Sequence, residues 1–586
     1  MTTLSAAVGR TLAACGIRHA FGVVGGGNIL ATAALTASGV RYTAARHEGG
    51  AMAMADAYYR ATGEVAVCTT THGPGLANAA TPLAEAVKNR SGVVLLCGDA
   101  PLAGPRPHDI DQSAFAASLG VPVVRLSDPA TARREIAGAV RTARARQCPV
   151  AVFIPGDLSG APVPADEPGP ALNTEPGAEP GTAVGPAPAG PSAAGYPVAA
   201  YPVADGPAGA APPQDLARAV AALAGARRPL LLAGLGAWRS GAGKILLELG
   251  DRLGALYATT VMASGLFHDS PWSLGVCGGF ADPAAAALAG EADVIVAFGA
   301  RLDTFTLHGG RILDPAATVV QVDLTAGPTA DRVDVHVRGD AAAVAAQLLD
   351  ALDALAALDA PAPPPPGWRS GATARALPAG WAARPYEDAS AGGRIDPRTL
   401  TSALARLLPA QRTVVLDGGH FIGWPAMYWR IPDPAGLVFT GAAFQSIGLG
   451  LAGAVGAAVG RPDRTVVAAV GDGGALMGLS ELDTLIRTGR PALVVVYDDA
   501  AYGFEEHMYA PQGADSATMT FADTDFAGVA RALGAAAATV RTVDDLDVVR
   551  SWRDRGAPGT LLLDCKVVSG VVAPYLADLI APRTAG

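Results

Sequence analysis

The chain has 586 residues, of which 50% are hydrophobic and only 16% charged, and its formal charge is −10. That length exceeds what one hydrophobic core can organise and implies roughly three or four domains. The acidic balance excludes a nucleic-acid partner, because no basic stripe offsets phosphate repulsion, and the absence of an apolar run of about 18 to 20 residues excludes a membrane-spanning helix.

Residues 1–30 lack the basic start and small-residue cleavage site of a signal peptide. The cysteines, Cys15, Cys68, Cys97, Cys148, Cys277 and Cys565, are scattered without C-x-x-C spacing, mostly in apolar runs such as Val93–Cys97. This is the pattern of buried, reduced thiols in a cytoplasmic protein.

In chain order, residues 1–160 form a first block in which Ala20–Val24, Val65–Thr70 and Val93–Cys97 read as strands. The segment Ala45–Tyr58 opens a helix with Glu48 in its first turn, a position that favours a carboxylate whether or not it does chemistry. A Gly-Pro-Gly turn with His72, Pro74 and Asn78 follows the second strand. The third strand leads to Asp99-Ala100-Pro101 and then Arg106-Pro107-His108-Asp109-Ile110-Asp111-Gln112.

Residues 161–213 are dominated by Pro, Ala and Gly and cannot bury enough apolar surface to offset ordering, so they read as a linker. The second block, 214–356, shows strands at Pro229–Gly234, Val294–Gly299 and Val319–Asp323. Residues 357–393 are a second connector, expected to be extended because of Pro363-Pro364-Pro365-Pro366.

The last block, 394–586, has strands at Val414–Asp417, Val466–Val470, Leu493–Val496 and Leu561–Asp564. Strands alternating with helical patterns throughout point to parallel α/β sheets, which take ligands at their carboxyl edges. Gly471-Asp472-Gly473-Gly474 follows a strand and leads into a helix expected over Gly478–Thr488. Its glycines admit an anionic group and the helix start offers N–H donors. Asp472 would repel a bare phosphate, so a cation is expected between them, and Mg²⁺ combines carboxylates with phosphate oxygens in this way. The next strand delivers Asp498-Asp499-Ala500-Ala501-Tyr502-Gly503 to the same sheet edge.

On these residues the chain resembles the thiamine-diphosphate (ThDP) dependent enzymes of the acetohydroxyacid synthase and pyruvate decarboxylase superfamily. Their Gly-Asp-Gly motif continues about 27 residues after the Asp with a strand-end Asn. Here Asp499 stands at that distance from Asp472, a departure also seen in some catabolic acetolactate synthases. Further likeness lies in His47-Glu48…Ala55-Asp56-Ala57-Tyr58, in Gly73-Pro74-Gly75-Leu76-Ala77-Asn78, in Asp417-Gly418-Gly419-His420 and in Ile447-Gly448-Leu449-Gly450-Leu451.

The resemblance implies an α/β fold of three doubly wound parallel-sheet domains, namely pyrimidine-binding, central and diphosphate-binding. It implies Mg²⁺ held by Asp472, Asp499 and the main-chain oxygen of Ala501. Glu48 becomes the catalytic glutamate at the aminopyrimidine, with Pro74 and Asn78 beside the ring. The diphosphate falls to Gly418, Gly419, His420, Gly471, Gly473 and Gly474, with Tyr502 alongside, and Ile447 becomes the wedge between the two cofactor rings. His72 stands where relatives carry a small residue, and it is either a proton-transfer group or a satisfied polar residue. His108 occupies the place of the Gln in the acetolactate-synthase segment Phe-Gln-Glu-x-Asp, with Gln112 shortly after; both are candidate substrate-facing groups. Glu505 and His507 are either proton relays or part of a solvated helix face.

The expected function is acetolactate-synthase-like: decarboxylation of a 2-oxo acid followed by carboligation to a carbonyl acceptor. The alternatives are non-oxidative decarboxylation to an aldehyde and a catalytically silent ThDP-fold partner, against which the intact Glu48 and Asp472 argue. In the family the site lies between subunits, so a homodimer or tetramer is expected, with no nucleic acid or membrane partner. Anabolic relatives bind FAD in the central domain. Gly299-Ala300-Arg301-Leu302-Asp303 resembles one of the flavin-side strands but the adjoining loops differ. ThDP and Mg²⁺ are therefore the expected cofactors and FAD the lesser alternative.

Overall fold

Short β-rich runs bounded by Gly or Asp each form one strand, and a computed structural model of the chain pairs them into three six-stranded sheets that are parallel throughout. The structure describes residues 2–164, 211–358 and 368–580. Most of the 161–213 linker and the run Pro363–Pro366 lie outside the described residues.

Taking the strands of each sheet in chain order, the first and last sheets share the edge-to-edge order 2-1-3-4-6-5, while the middle sheet has 3-2-1-4-5-6. Both are doubly wound arrangements with a switch point where strand order reverses. Most interior strands are those the apolar runs mark, with ends moved by a residue or two; Val466–Val470, for example, lies within Thr465–Gly471, while the interior strands Val150–Pro155 and Leu256–Thr259 are additional. The edge strands, such as Arg41–Ala44 and the three-residue Leu437–Phe439, are also additional.

Two expectations change. The helix expected over Gly478–Thr488 begins earlier, as a short helix Asp472–Met477 directly on the strand end, followed by Ser480–Arg487. Gly478, with no Cβ, fits against the Gly448 carbonyl where the two helices meet. The connector beyond the proline run is not simply extended. Trp368 is buried in the middle domain, Gly371–Ala376 forms a helix, and Arg369 lies over the Tyr257 and Trp272 rings while its Nε donates to the Ala255 carbonyl at 2.8 Å. A planar guanidinium between two aromatic rings ties this stretch to the middle sheet.

The first and last domains dock through the helices that follow their second strands, Glu48–Thr62 and Gly450–Gly460. The first is capped by His47, whose Nδ1 accepts the Gly49 N–H at 3.0 Å, and stops at Gly63 with φ 75°. The first is rich in Ala, Gly and Met and the second in Ala, Gly and Val, so their backbones approach closely. Two buried carboxylates close this interface reciprocally. Glu481 accepts N–H bonds from Arg46 and His47, and Glu85 accepts them from Ala443 and Phe444. The four partners occupy corresponding places in the two domains, which gives the pair an approximate two-fold relation.

A Cβ at Gly456 would fall inside contact distance of the Met54 carbonyl. Gly456→Val should therefore force the two helices apart and cost about 1–3 kcal/mol, read as a lower calorimetric unfolding midpoint; an unchanged midpoint would show that this contact is not tightly packed.

Candidate functional site

In the last sheet strand order reverses between Arg412–Leu416 and Thr465–Gly471, and Asp417 and Asp472 leave the sheet on either side of that crevice. The register sets Gly471 beside Tyr497, so the loop from Asp498 onward emerges next to Asp472. A cavity of about 2130 Å³ opens here and extends to the carboxyl edge of the middle sheet. Gly418, Gly419, His420, Ile447, Gly471, Asp472, Gly473, Gly474, Asp499, Ala501 and Tyr502 all line it.

Carboxylates at this edge are removed from water, and each is treated differently. Asp417, fully buried, accepts N–H bonds from Gly418, Gly448 and Leu449; burial still raises it, to about 6. In this way it fixes both the Gly418-Gly419 turn and the Ile447 segment. Asp498 is paired with Lys566, whose Nζ stands 2.5 Å from it and 3.0 Å from Asp564.

Asp472 and Asp499 have no such cation. Burial, together with the charges of Asp499 and Asp498, pushes Asp472 up to about 8. Burial pushes Asp499 up to about 7, against the hydrogen bond from the Ala501 N–H. Two carboxylates, Asp472 buried and Asp499 mostly so, beside a carbonyl-bearing loop suit a hard divalent cation, which would relieve the burial cost of both. The strand register pairs Asp498 with Lys566 and leaves Asp499 toward the cavity, and Ala500, in the left-handed conformation at φ 58°, then turns the loop.

His420 is buried, and burial lowers it to about 4, so it is neutral near pH 7. Its Nε2 accepts the Ala573 N–H at 2.8 Å, which places the proton on Nδ1, 4.0 Å from the Asp499 carboxylate. Glycine is required at 473 because a Cβ there would lie 2.5 Å from the Tyr502 ring. The Tyr502 ring thus packs directly against the Gly471–Gly474 turn, whose residues line the cavity.

Glu48, His72, Pro74, Asn78 and His108 are on the first domain and do not line this cavity. They form a second half-site. Asn78 Nδ2 donates to Glu48 Oε2 at 3.0 Å, and the His72 and His108 rings lie 5.5 Å apart. His72, His108 and Asp109 bring potential ligand atoms within 4.8 Å of one another, but the Asp109 carboxylate is clasped by Arg106 at 2.9 Å. Burial lowers the His72 imidazole.

Gln112 departs from the expectation of a substrate-facing group. It is buried, its Oε1 accepts the Gly73 N–H at 2.7 Å, and its Nε2 donates to the Gly98 carbonyl and Asp99. Its amide is committed to holding the Gly-Pro-Gly turn. Asp417 enters from sequence only as the first residue of the Asp417-Gly418-Gly419-His420 likeness, without a role of its own, and Lys566 carries no local signal.

Residues 2–117 match the thiamine pyrophosphate enzyme N-terminal TPP binding domain, 216–348 the central domain and 417–557 the C-terminal TPP binding domain. The chain is 28% identical over 522 residues to a probable acetolactate synthase large subunit of Methanocaldococcus jannaschii, covering 85% of this chain and 80% of that protein. It is 27% identical over 543 residues to acetolactate synthase isozyme 3 large subunit of Escherichia coli, covering 90% and 87%. Similarity to sulfoacetaldehyde acetyltransferase of Rhodobacter capsulatus is 26% over 620 aligned positions, covering 99% and 96%.

A carboxylate whose folded pKa exceeds its unfolded value of about 4 stabilises the metal-free fold fully below that value, and the contribution is lost as pH rises through the folded values of about 7 and 8. The unfolding midpoint of metal-free protein should fall between pH 5.5 and 8.5, and saturating Mg²⁺ should flatten that slope. A slope identical with and without Mg²⁺ would separate these carboxylates from metal binding.

Proposed function

The chain belongs to the thiamine pyrophosphate enzyme family and is acetolactate-synthase-like, and on that premise we propose that it decarboxylates a 2-oxo acid and joins the remaining acyl unit to a second carbonyl compound. The observation that carries the reading is the pair Asp472, buried, and Asp499, mostly buried, at a sheet switch point beside a glycine turn, with no Lys or Arg paired to them among the described residues.

In this reading Asp472, Asp499 and the Ala501 carbonyl hold Mg²⁺, and the turns at Gly418-Gly419-His420 and Gly471–Gly474 receive the diphosphate, with Ile447 and Tyr502 against the cofactor. Asp498 is unsuited to the metal because Lys566 already neutralises it. When bound, ThDP supplies a carbon nucleophile for the ketone and an acceptor for the electron pair released as CO₂ departs. Glu48, its orientation fixed by Asn78, holds a proton at the pyrimidine ring nitrogen, and Pro74 bounds that ring. Atoms and charge balance as 2-oxo carboxylate anion plus carbonyl acceptor plus one proton giving CO₂ and a hydroxy ketone.

The two half-sites occur in one chain without sharing a cavity. Val24, Ile29 and Leu30 are exposed near one, and Leu476, Met477 and Tyr502 near the other. We infer a homodimer in which the first domain of each copy closes the diphosphate half of its partner, an isologous arrangement. No helix among the described residues is long and apolar enough to cross a membrane. A second reading, release of an aldehyde, is favoured by His72 and His108 standing together on the half-site that carries Glu48.

Purified protein with ThDP, Mg²⁺ and a panel of 2-oxo acids, with and without carbonyl acceptors including sulfoacetaldehyde, tests the reading. Hydroxy ketone with stoichiometric CO₂ supports it, aldehyde alone selects the second reading, and no CO₂ from any 2-oxo acid overturns both. Glu48→Gln should lower turnover by about 10²–10⁴ while ThDP still binds in calorimetry; turnover at the wild-type rate would remove Glu48 from the chemistry. Asp499→Asn should remain active, whereas Asp499→Ala should need at least about ten times more Mg²⁺ for the same ThDP occupancy. Unchanged Mg²⁺ dependence in Asp499→Ala would show that Asp499 is not a ligand.

A further inference from the structure

Glu48 can act only if its carboxylate stands in a fixed place, yet it is the first residue of its helix, where a chain is least constrained. The preceding residue has the extended conformation, φ −144° and ψ 143°, so the N–H groups of Arg46 and His47 have no helical partner. Both point across the domain boundary to Glu481, a residue 2% exposed on the helix Ser480–Arg487. Its Oε1 accepts from His47 at 2.9 Å and from Arg46 at 3.1 Å.

The carboxylate is itself held. Thr484 Oγ1 donates to Oε2 at 2.6 Å, and on the opposite side Gly50 has no Cβ to displace it; a methyl there would collide with the carboxylate. Around it, Arg46 Nε reaches Asp483 and Arg487 reaches the Ala44 carbonyl, each at 2.7 Å. A negative charge accepting two backbone N–H bonds in a dry interface forms strong, geometrically narrow contacts. Misplacement by about 1 Å at a reacting group can cost about 10²-fold in rate.

We propose that Glu481 is a positioning residue for Glu48: reaching from the helix that follows the Asp472 turn, it anchors the backbone at Arg46 and His47 and so sets where the Glu48 carboxylate stands. The proposal rests on the reading of Glu48 given above. Its consequence is that the diphosphate-side domain of a subunit governs the proton-holding group carried by that subunit's own first domain.

The test measures exchange of the C2 proton of bound ThDP in D₂O, together with ThDP affinity by calorimetry and the unfolding midpoint. Glu481→Ala should slow exchange about 10- to 100-fold with ThDP affinity within about threefold of wild type. Glu481→Gln, whose amide oxygen can accept the same two N–H bonds, should recover most of the rate. The double variant Glu48→Gln/Glu481→Ala should be no slower than Glu48→Gln alone, since both act on one step. Gly50→Ala, a substitution that suits a helix, presses on the Glu481 carboxylate without removing it and should slow exchange in the same sense; it decides the matter if Glu481→Ala does not fold. Wild-type exchange in Glu481→Ala or Gly50→Ala, no recovery in Glu481→Gln, or additive loss in the double variant would overturn the proposal. Wild-type exchange in Glu48→Gln would instead overturn the reading of Glu48 itself.

Discussion

A carboxylate taken out of water must find hydrogen-bond donors, a fixed cation or a proton, and this constraint organises both the domain interface and the cavity. Glu85 and Glu481 are satisfied by backbone N–H groups of the opposite domain. Asp417 is satisfied by N–H groups of its own turn and of the Ile447 segment. Asp498 is satisfied by Lys566. What distinguishes Asp472 and Asp499 is that, among the described residues, no Lys or Arg pairs with them and the backbone N–H bonds they accept do not offset burial, so burial drives them toward protonation. A site that is unfavourable without a cation is well matched to one, because removing the burial cost adds to the affinity of the metal.

The first and last domains solve the same geometric problem twice. With a common strand order and helices in corresponding positions, they dock around an approximate two-fold relation in which each lends a glutamate to the other. The small residues of Glu48–Thr62 and Gly450–Gly460 make this docking close enough for those carboxylates to reach backbone donors. The same relation carries Glu48 and the Asp472 turn away from a shared cavity within one chain. On the homodimer proposed above, a second copy of the chain would close that separation.

Much of the fold was legible because interior parallel strands are buried on both faces and so appear as apolar runs, as in Leu493–Val496 and Val294–Phe298. Edge strands leave a weaker trace: Arg41–Ala44 is partly exposed and polar, and Leu437–Phe439 is only three residues long. The Gly-Asp-Gly turn was legible because its glycines and its acid are adjacent in the chain. Its helix was misplaced because Gly473 and Gly474, unfavourable in a helix by propensity, are accommodated against Tyr502 and Asp417.

The sequence by itself determined the α/β alternation, the position of the Asp472 turn and the distance to Asp499, since each depends on neighbours along the chain or on the length of one strand–helix–strand unit. Only the tertiary structure decided that Asp498 belongs to Lys566 while Asp499 faces the cavity, because the parallel register sets Asp498 directly opposite Lys566 and the next residue along the chain turns away. It alone decided that Gln112 braces the Gly-Pro-Gly turn and that Glu481 meets Arg46 and His47, contacts between residues as much as 435 positions apart. Hydrogen bonds to backbone N–H groups impose no requirement on the partner's side chain, so such pairings leave no pattern in the residues they join.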